Sequence, residues 1–303
     1  MEDIIPNLFI IGAPKSGTTS LYRYLKSHPN IFMCTPKEPH FFLDDINGVG
    51  LIESLEEYQH LFSKRKNKHK VLGEASVWYL YSDTAVKNIY KYNKNAKIIV
   101  MLRNPIDLYQ SLHQHFIYNG YEEKKNLKDA WDSQLKRQEN NDMPKRCPDS
   151  KLLQYKNILR LGHQVERLYS IFPKEQIKII LFDDFVSHTK DIYKSTLSFL
   201  DIEYDDRDTF PNINKRKKVR YNYLNKFLLN PPALFKKIWY ILKKIFGNNI
   251  IELLDKIILL NTKDVINNKN TNIEFQLELK ETFRSEIKML SNIIERDLNI
   301  WIK

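Results

Sequence analysis

The sequence is poor in glycine and has no long hydrophobic run. Only 8 of its 303 residues are glycine, about a third of ordinary usage, whereas 42% are hydrophobic. This composition excludes collagen, glycine-rich linkers and disordered tails, and it predicts a folded chain that buries a sizeable core. Because no apolar stretch reaches about 18 residues, we expect no transmembrane helix.

Cysteine is also scarce, since the chain has only Cys34 and Cys147. Two cysteines cannot build a disulfide framework, and these two do not form the Cys-x-x-Cys pair typical of metal sites. We therefore expect two free thiols in a reducing compartment. The first residues, Met1-Glu2-Asp3, are acidic and lead directly into a predicted strand, which is unlike a secretory signal. These observations predict a cytoplasmic protein.

Negative charge is the minority sign in this sequence. The 48 Lys and Arg residues outnumber the 37 Asp and Glu residues, which gives a formal net charge of +11. Such a surplus suits an anionic ligand, a nucleic acid or an acidic membrane surface, and it does not choose among them.

Short apolar runs alternate with helical patterns over the first two thirds of the chain. Runs at 8–11, 97–102 and 177–182, with a weaker one at 70–74, predict buried strands of a parallel sheet. Helical patterns cover 17–28, 82–92, 105–118, 151–172 and 189–200. The alternation predicts an α/β fold with a central parallel sheet flanked by helices.

The chain changes character near residue 205. Residues 203–220 are highly charged and end in the basic run 215–220, beyond which only helical patterns follow, at 221–229, 233–246, 248–260 and 273–299. We predict one domain over 1–303, with an α/β core over about 1–204 and a basic loop and helical C-terminal extension over 205–303. Residues 235–246 form a basic amphipathic pattern that could contact an anionic membrane, although covering the core is the favoured interpretation.

A glycine-framed loop follows the first predicted strand and opens a helix. It reads Gly12-Ala13-Pro14-Lys15-Ser16-Gly17-Thr18-Thr19. Backbone N–H groups of such a loop converge on one spot, and the helix dipole adds positive potential there, so the pattern predicts an anion site. The alternative is an ordinary strand-to-helix turn, which would not need a lysine between its two glycines.

The loop differs from the nucleotide-binding P-loop, G-x-x-x-x-G-K-[ST], in one position. Thr18 stands where that motif has its lysine, and the positive charge lies inside the loop at Lys15. Thr19 still occupies the position of the Mg²⁺ ligand. The sequence therefore predicts phosphate binding and disfavours a nucleoside triphosphate with Mg²⁺.

The loop resembles the 5′-phosphosulfate-binding loop of the sulfotransferases that use 3′-phosphoadenosine-5′-phosphosulfate (PAPS), with Lys15 at the position of that family's lysine. His28-Pro29-Asn30-Ile31 resembles the "HPxI" segment of the heparan-sulfate-type and bacterial branch. The resemblance implies a P-loop-like fold, PAPS as the sulfuryl donor with 3′-phosphoadenosine-5′-phosphate (PAP) as product, and no metal.

The segment from Lys37 to Phe42 resembles the "KE-x-HFF" segment of the same branch. The resemblance implies that Glu38 is the general base. The chemistry is consistent, because an acceptor hydroxyl that attacks sulfur must lose a proton and a positioned carboxylate can take it. His40 is the second candidate base, and the alternative for Glu38 is a solvated loop residue.

A second strong match begins at the end of the strand predicted over 97–102. Arg103-Asn104-Pro105-Ile106-Asp107, followed by Ser111 and His115, resembles the family's 3′-phosphate-binding segment "RNPxDxxxSxxxH". Pro105 suits the first turn of a helix, which leaves Arg103 at the carboxyl end of a strand, where ligands bind in α/β proteins. The resemblance pairs Arg103 with Ser111 on the 3′-phosphate, a dianion that arginine holds well.

Two further segments resemble the family less closely. Residues 73–79 resemble "GE-x-SPxY", but Ala75 stands where some heparan-sulfate-type members carry a lysine, which weakens the expectation of a heparan-like acceptor. Arg216 and Lys217 resemble a basic "RKG" loop that closes over the cofactor, with Lys218 in place of the glycine. The alternative for this basic run is a solvated face.

The sequence thus predicts in-line transfer of a sulfuryl group from PAPS to a hydroxyl or amine of a carbohydrate or glycolipid. The expected catalytic residues are Glu38, Lys15 and His40. The expected cofactor ligands are Lys15, Ser16, Gly17, Thr18, Thr19, Arg103, Ser111, Arg216 and Lys217. A degenerate P-loop kinase or NTPase is the main alternative, and a basic RNA- or membrane-binding module is the other. We expect no nucleic-acid partner, and the sequence specifies neither the acceptor nor the oligomeric state.

Overall fold

The computed structural model describes residues 5–50, 52–211, 217–219, 262–264 and 273–302. It divides into two compact units. The larger comprises Met1–Ile213 with Thr271–Lys303, and the smaller comprises Asn214–Asn270.

A five-stranded parallel sheet forms the centre of the larger unit. Its strands are β1 (Leu8–Gly12), β2 (Ile31–Met33), β3 (Val71–Ala75), β4 (Lys97–Leu102) and β5 (Ile177–Leu181), in the order β2-β3-β1-β4-β5. All four neighbouring pairs are parallel. Strand β1 is fully buried, since it lies between β3 and β4 with helices on both faces. The predicted α/β fold with a P-loop-like parallel sheet is confirmed.

Helices cover both faces of the sheet. They are α1 (Thr18–Lys26), α2 (Leu55–His60), α3 (Ala85–Tyr92), α4 (Pro105–Asn119), α5 (Leu127–Asp132), α6 (Gln134–Gln138), α7 (Tyr155–Ile158), α8 (Leu161–Tyr169), α9 (Phe182–Ser187), α10 (Thr189–Phe199) and α11 (Ile273–Ile293). Successive residues of a strand point to opposite faces, so Ile98 packs in the core under α3, α4, α8 and α11, whereas Ile99 packs in the core under α1 and α10.

Two sequence-based expectations about these elements are wrong. The single helix predicted over 151–172 is a 3₁₀ turn at Ser150–Leu153 followed by the separate helices α7 and α8. At the break, the Gln164 side chain donates to the carbonyls of Asn157 and Ile158, which replaces the helical bonds that a straight helix would make. Strand β2 was not predicted, because three residues are too short to show a period.

The carboxyl-terminal region differs from expectation in one respect. The predicted helix over 273–299 exists as α11 and ends at Ile293. In the smaller unit, β6 (Lys217–Val219) pairs antiparallel with β7 (Thr262–Asp264), so a strand lies where only helices were expected. The helices predicted over 221–229, 233–246 and 248–260 lie outside the described residues. No helix in the described part of the chain is long and apolar enough to cross a bilayer.

Close packing of α8 against α11 makes Gly162 sensitive to substitution. A Cβ at Gly162 would lie 2.8 Å from the carbonyl oxygen of Glu286 in α11. Alanine normally stabilises a helix relative to glycine, but here we expect Gly162→Ala to lower the free energy of unfolding by about 1–3 kcal/mol. Urea unfolding measures this change. The control is Glu166→Ala on the exposed side of α8, which should change stability by less than about 0.5 kcal/mol. A Gly162→Ala protein more stable than wild type would contradict this packing.

Candidate active site

The glycine-framed loop connects the end of β1 to the start of α1. Gly17 precedes the helix with φ 89°, a left-handed conformation that glycine adopts without strain. The N–H groups of Ser20 and Leu21 donate to the Gly17 carbonyl, so the N–H groups just before them have no partner within the helix. Ala13 N donates to Met101 O over 2.7 Å, which fixes the loop to β4. The loop therefore has the free N–H groups that the predicted anion site requires.

The hydroxyl residues of the loop are mostly turned inward. Ser16 is fully buried, and its Oγ donates to the Pro14 carbonyl over 3.4 Å. Thr18 is also buried, whereas Thr19 is half-buried and Lys15 is exposed. The contribution of Ser16 to an anion site is therefore its backbone N–H group, with the positive charge coming from Lys15.

Arg103 lies against the same loop, as its position after β4 predicts. Its side chain is largely buried, and Nη1 donates to the Lys15 carbonyl over 3.3 Å. Its guanidinium carbon lies 4.6 Å from the ring centre of Phe182, the first residue of α9. A side chain at Gly17 would meet the same ring at 3.2 Å. The structure thus joins the two predicted phosphate segments, and Ser111 lies half-buried in the second turn of α4.

The carboxylate of Glu38 lies between the side chains of Lys37 and His40. Lys37 Nζ forms an ion pair with Glu38 Oε1, and His40 Nε2 lies 3.5 Å from Oε2. Burial by itself would raise the pKa of Glu38, but the hydrogen bond from His40 and the Lys37 ammonium outweigh it and lower the pKa to about 2. Because a carboxylate only accepts, His40 Nε2 carries the proton. Glu38 is therefore ionised at neutral pH and able to accept a proton.

His115 belongs to this group, although the sequence analysis named it only as the last residue of the segment that begins at Arg103. Burial and, to a smaller extent, the Lys15 ammonium lower its pKa to about 4, although the Glu38 carboxylate opposes both. His115 is thus neutral at neutral pH and within electrostatic reach of both residues. The Asn119 amide nitrogen lies 3.2 Å from Nε2, which leaves the ring proton on Nδ1. The sequence feature that could have indicated a role for His115 is its position one helical turn after Ser111.

The loop that carries Glu38 has an unusual backbone. Glu38 has φ 66° and His40 has φ 54°, left-handed values that cost about 1 kcal/mol or more each in residues other than glycine. Three hydrogen bonds compensate. Glu38 N donates to Ala75 O, His40 N to Ser76 Oγ, and Phe42 N to the Tyr79 hydroxyl. The segment after β3 therefore determines the shape of the Glu38 loop.

Glu74 in β3 is completely buried beneath this loop. Its carboxylate accepts hydrogen bonds from the hydroxyls of Tyr58, Ser76 and Tyr79, over 2.8, 2.6 and 3.1 Å. Burial raises its pKa to about 7, although the three hydroxyls and the Lys37 ammonium favour the ionised form. Glu74 was noted in the sequence only as part of the 73–79 segment.

The remaining predicted residues fall outside this group or outside the described part. Arg216 is not among the described residues, and Lys217 belongs to strand β6 of the smaller unit. Their role stays a prediction. Among the described residues, no group of three His, Cys, Asp or Glu side chains could hold a metal ion. Cys34 and Cys147 are free thiols, as expected.

Comparison with known proteins identifies the family. The family model described as "Sulfotransferase domain" matches residues 6–227, which include the glycine-framed loop, Glu38 and Arg103. The chain belongs to the sulfotransferase family. The crystal structure of a sulfotransferase from Alicyclobacillus acidocaldarius is similar in fold, with a TM-score of 0.70 and 24% identity, and the match covers 98% of this chain and 99% of that one.

Three curated relatives share parts of the sulfotransferase sequence. Membrane-associated sulfotransferase kil1 of Dictyostelium discoideum is 34% identical over 113 residues, which are 37% of this chain and 22% of the relative. Human carbohydrate sulfotransferase 15 is 27% identical over 253 residues, and the match covers 65% of this chain and 44% of the relative. Mouse bifunctional heparan sulfate N-deacetylase/N-sulfotransferase 4 is 34% identical over 119 residues, and the match covers 37% of this chain and 13% of the relative. The chain spans less than half the length of each relative.

The raised pKa of Glu74 predicts a specific pH dependence of stability. The native state holds this proton up to about pH 7, whereas the unfolded chain loses it near pH 4.5. The contribution of Glu74 to stability is therefore full below pH 4.5 and falls by up to about 3 kcal/mol as the pH rises to 7. In Glu74→Gln this dependence is absent, so the difference in unfolding free energy between the two proteins should shrink with pH. Parallel curves from urea unfolding at pH 4.5–7.5 would contradict the assignment.

Proposed function

We propose that this sulfotransferase moves a sulfuryl group from PAPS to a hydroxyl or amine of a carbohydrate or glycolipid. The observation that carries the proposal is that Lys15, Glu38 and His115 interact with one another beside the glycine-framed loop. The printed names of the carbohydrate and heparan sulfate relatives support a carbohydrate acceptor. A cytoplasmic location remains part of the proposal.

The residues of the loop region fit the anionic groups of the donor. Residues 13–19 contain Lys15 and no carboxylate, and the N–H groups at the start of α1 favour negative charge. These groups would hold the 5′-phosphosulfate. Arg103, anchored on the Lys15 carbonyl, would bind the 3′-phosphate together with Ser111.

PAPS would supply the sulfuryl group on an activated leaving group, so the protein provides positioning, charge and a base. Lys15 and the N–H groups of Ser16 to Thr19 stabilise the negative charge that grows on the leaving phosphate. Glu38 accepts the proton of the acceptor. The neutral His115 adds a polar ring that interacts with both Lys15 and Glu38.

Lys37 has a part in adjusting the strength of the base. With a pKa near 2, Glu38 is ionised but has little tendency to take up a proton. The Lys37 ammonium, paired with Glu38, is one cause of that low value.

Ligand-induced stabilisation tests the donor site. PAP at 100 times its Kd should raise the Tm by about 5–10 °C, because a ligand that binds only the native state stabilises it. The increase should fall by at least about half in Lys15→Ala and persist in Lys87→Ala, which removes an exposed lysine of α3. A larger increase with ATP and Mg²⁺ than with PAP would indicate a kinase or NTPase. An increase with oligonucleotide that is steeply salt-dependent and unaffected by Arg103→Ala would indicate a basic binding module.

Substitution of the proposed base tests the mechanism. Glu38→Gln should lower kcat for transfer from PAPS to a chemically desulfated glycosaminoglycan by about 10²- to 10⁴-fold, because the amide cannot accept the proton. Stabilisation by PAP should be unchanged. Glu56→Gln, which neutralises an exposed carboxylate of α2, is the matched control and should behave like wild type. Normal turnover in Glu38→Gln would remove Glu38 from the mechanism.

A further inference from the structure

The proposed mechanism leaves Glu74 without a role, although this carboxylate is completely buried. A buried charge is costly unless it is well hydrogen-bonded, and Glu74 has three hydroxyl donors. Two of the three hydroxyls, those of Ser76 and Tyr79, also contact the Glu38 loop. The third, that of Tyr58, contacts Glu74 from α2. Glu74 is thus linked to the Glu38 loop through two hydroxyls.

The direction of each hydrogen bond determines what Glu74 does in this arrangement. A hydroxyl has one proton and two lone pairs, and above pH 7, where Glu74 is ionised, its carboxylate can only accept. Ser76 and Tyr79 therefore give their single protons to Glu74, which turns their lone pairs toward the N–H groups of His40 and Phe42. If a group that donates a proton replaced an oxygen of Glu74, the hydroxyl bonded to that oxygen would have to accept instead of donate. The proton of this hydroxyl would then point toward the backbone N–H group that it now accepts from.

These two bonds hold the strained part of the loop. His40 N donates to Ser76 over 3.1 Å, and Phe42 N donates to Tyr79 over 3.2 Å. Glu38 and His40, which lie at or next to these two bonds, keep their left-handed backbone conformations. Such conformations persist only when contacts with the surrounding structure hold them in place. The position of the Glu38 carboxylate therefore depends on contacts made by its neighbours.

We propose that Glu74 is a positioning residue: through the hydroxyls of Ser76 and Tyr79 it fixes the loop from Lys37 to Phe42 and so aims the Glu38 carboxylate. The inference rests on the proposed function for the importance of Glu38, but the anchoring of the loop can be measured without it. Besides the three hydroxyls, the titratable groups that interact with Glu74 are Cys34 and Lys37.

Tyr58 and Tyr79 provide a matched pair of variants. Both phenols are fully buried and donate to the same oxygen of Glu74. Phenylalanine at either position removes one hydroxyl and keeps the ring. Only Tyr79→Phe also removes an acceptor from the loop, because the Tyr79 hydroxyl receives the Phe42 N–H bond. Ser76→Ala removes the other acceptor, and Glu74→Gln tests the carboxylate itself.

Hydrogen–deuterium exchange of the full chain at pH 8.5, where Glu74 is ionised, measures the anchoring. In the peptide that covers residues 37–43, exchange should accelerate about tenfold in Ser76→Ala, Tyr79→Phe and Glu74→Gln, because these amides lose their acceptors. Tyr58→Phe should stay within about twofold of wild type in that peptide. Equal exchange in Tyr58→Phe and Tyr79→Phe would overturn the proposal, because the loss of any buried hydroxyl would then have the same effect.

Steady-state transfer from PAPS to desulfated glycosaminoglycan measures the consequence for the reaction. Ser76→Ala and Tyr79→Phe should lower kcat about tenfold with an unchanged KM for PAPS, since a misaimed base slows the chemical step. In the Glu38→Gln background the same substitutions should have no further effect.

The outcomes separate the proposal from the proposed function. If Glu38→Gln abolishes turnover while Tyr79→Phe turns over like Tyr58→Phe, the positioning role is overturned and the base stands. If Glu38→Gln stays active, the proposed function of Glu38 fails and the aiming role fails with it. The exchange data then show separately whether Glu74 anchors the loop.

Discussion

The parallel arrangement of the five strands is the constraint on which the rest of the structure depends. Carboxyl ends of parallel strands meet at one edge of the sheet, and in open α/β sheets ligands bind at that edge. Every strand contributes there through the residues that follow it. Lys15 follows β1, Glu38 follows β2, Ser76 follows β3, Arg103 follows β4 and Phe182 follows β5. A site built from five strand ends needs no dedicated domain, because the sheet that forms the core also delivers its residues.

Differences in environment assign different properties to chemically similar groups at this edge. Glu38, between Lys37 and His40, has a pKa lowered to about 2, whereas the buried Glu74 has a pKa raised to about 7. His115 is kept neutral by burial and by Lys15. Two carboxylates whose surroundings separate their pKa values in this way can take different roles, one at the reacting atoms and one beneath them. The net charge of +11 is therefore a poor guide to this site, because the cations that change these pKa values are a few lysines with specific partners.

The strands and the glycine-framed loop could be predicted because their signals are local. Apolar runs mark β1 and β4, and the loop between Gly12 and Gly17 is defined by its own backbone. The break between α7 and α8 could not be predicted, because the Gln164 side chain there bonds to carbonyls of another turn. Strand β2 is too short to show a period, and it exists because β3 pairs with it.

The sequence by itself determined the fold class, the glycine-framed loop and the place of Arg103 at a strand end, because each depends on residues adjacent along the chain. Only the tertiary structure decided which distant groups meet. It brought His115 of α4 within reach of Lys15 and Glu38, and it buried Glu74 beneath the loop from Lys37 to Phe42. Long-range distances and burial follow from how helices and strands pack. The same glutamate in a sequence can therefore be a solvated charge, a base or a buried anchor.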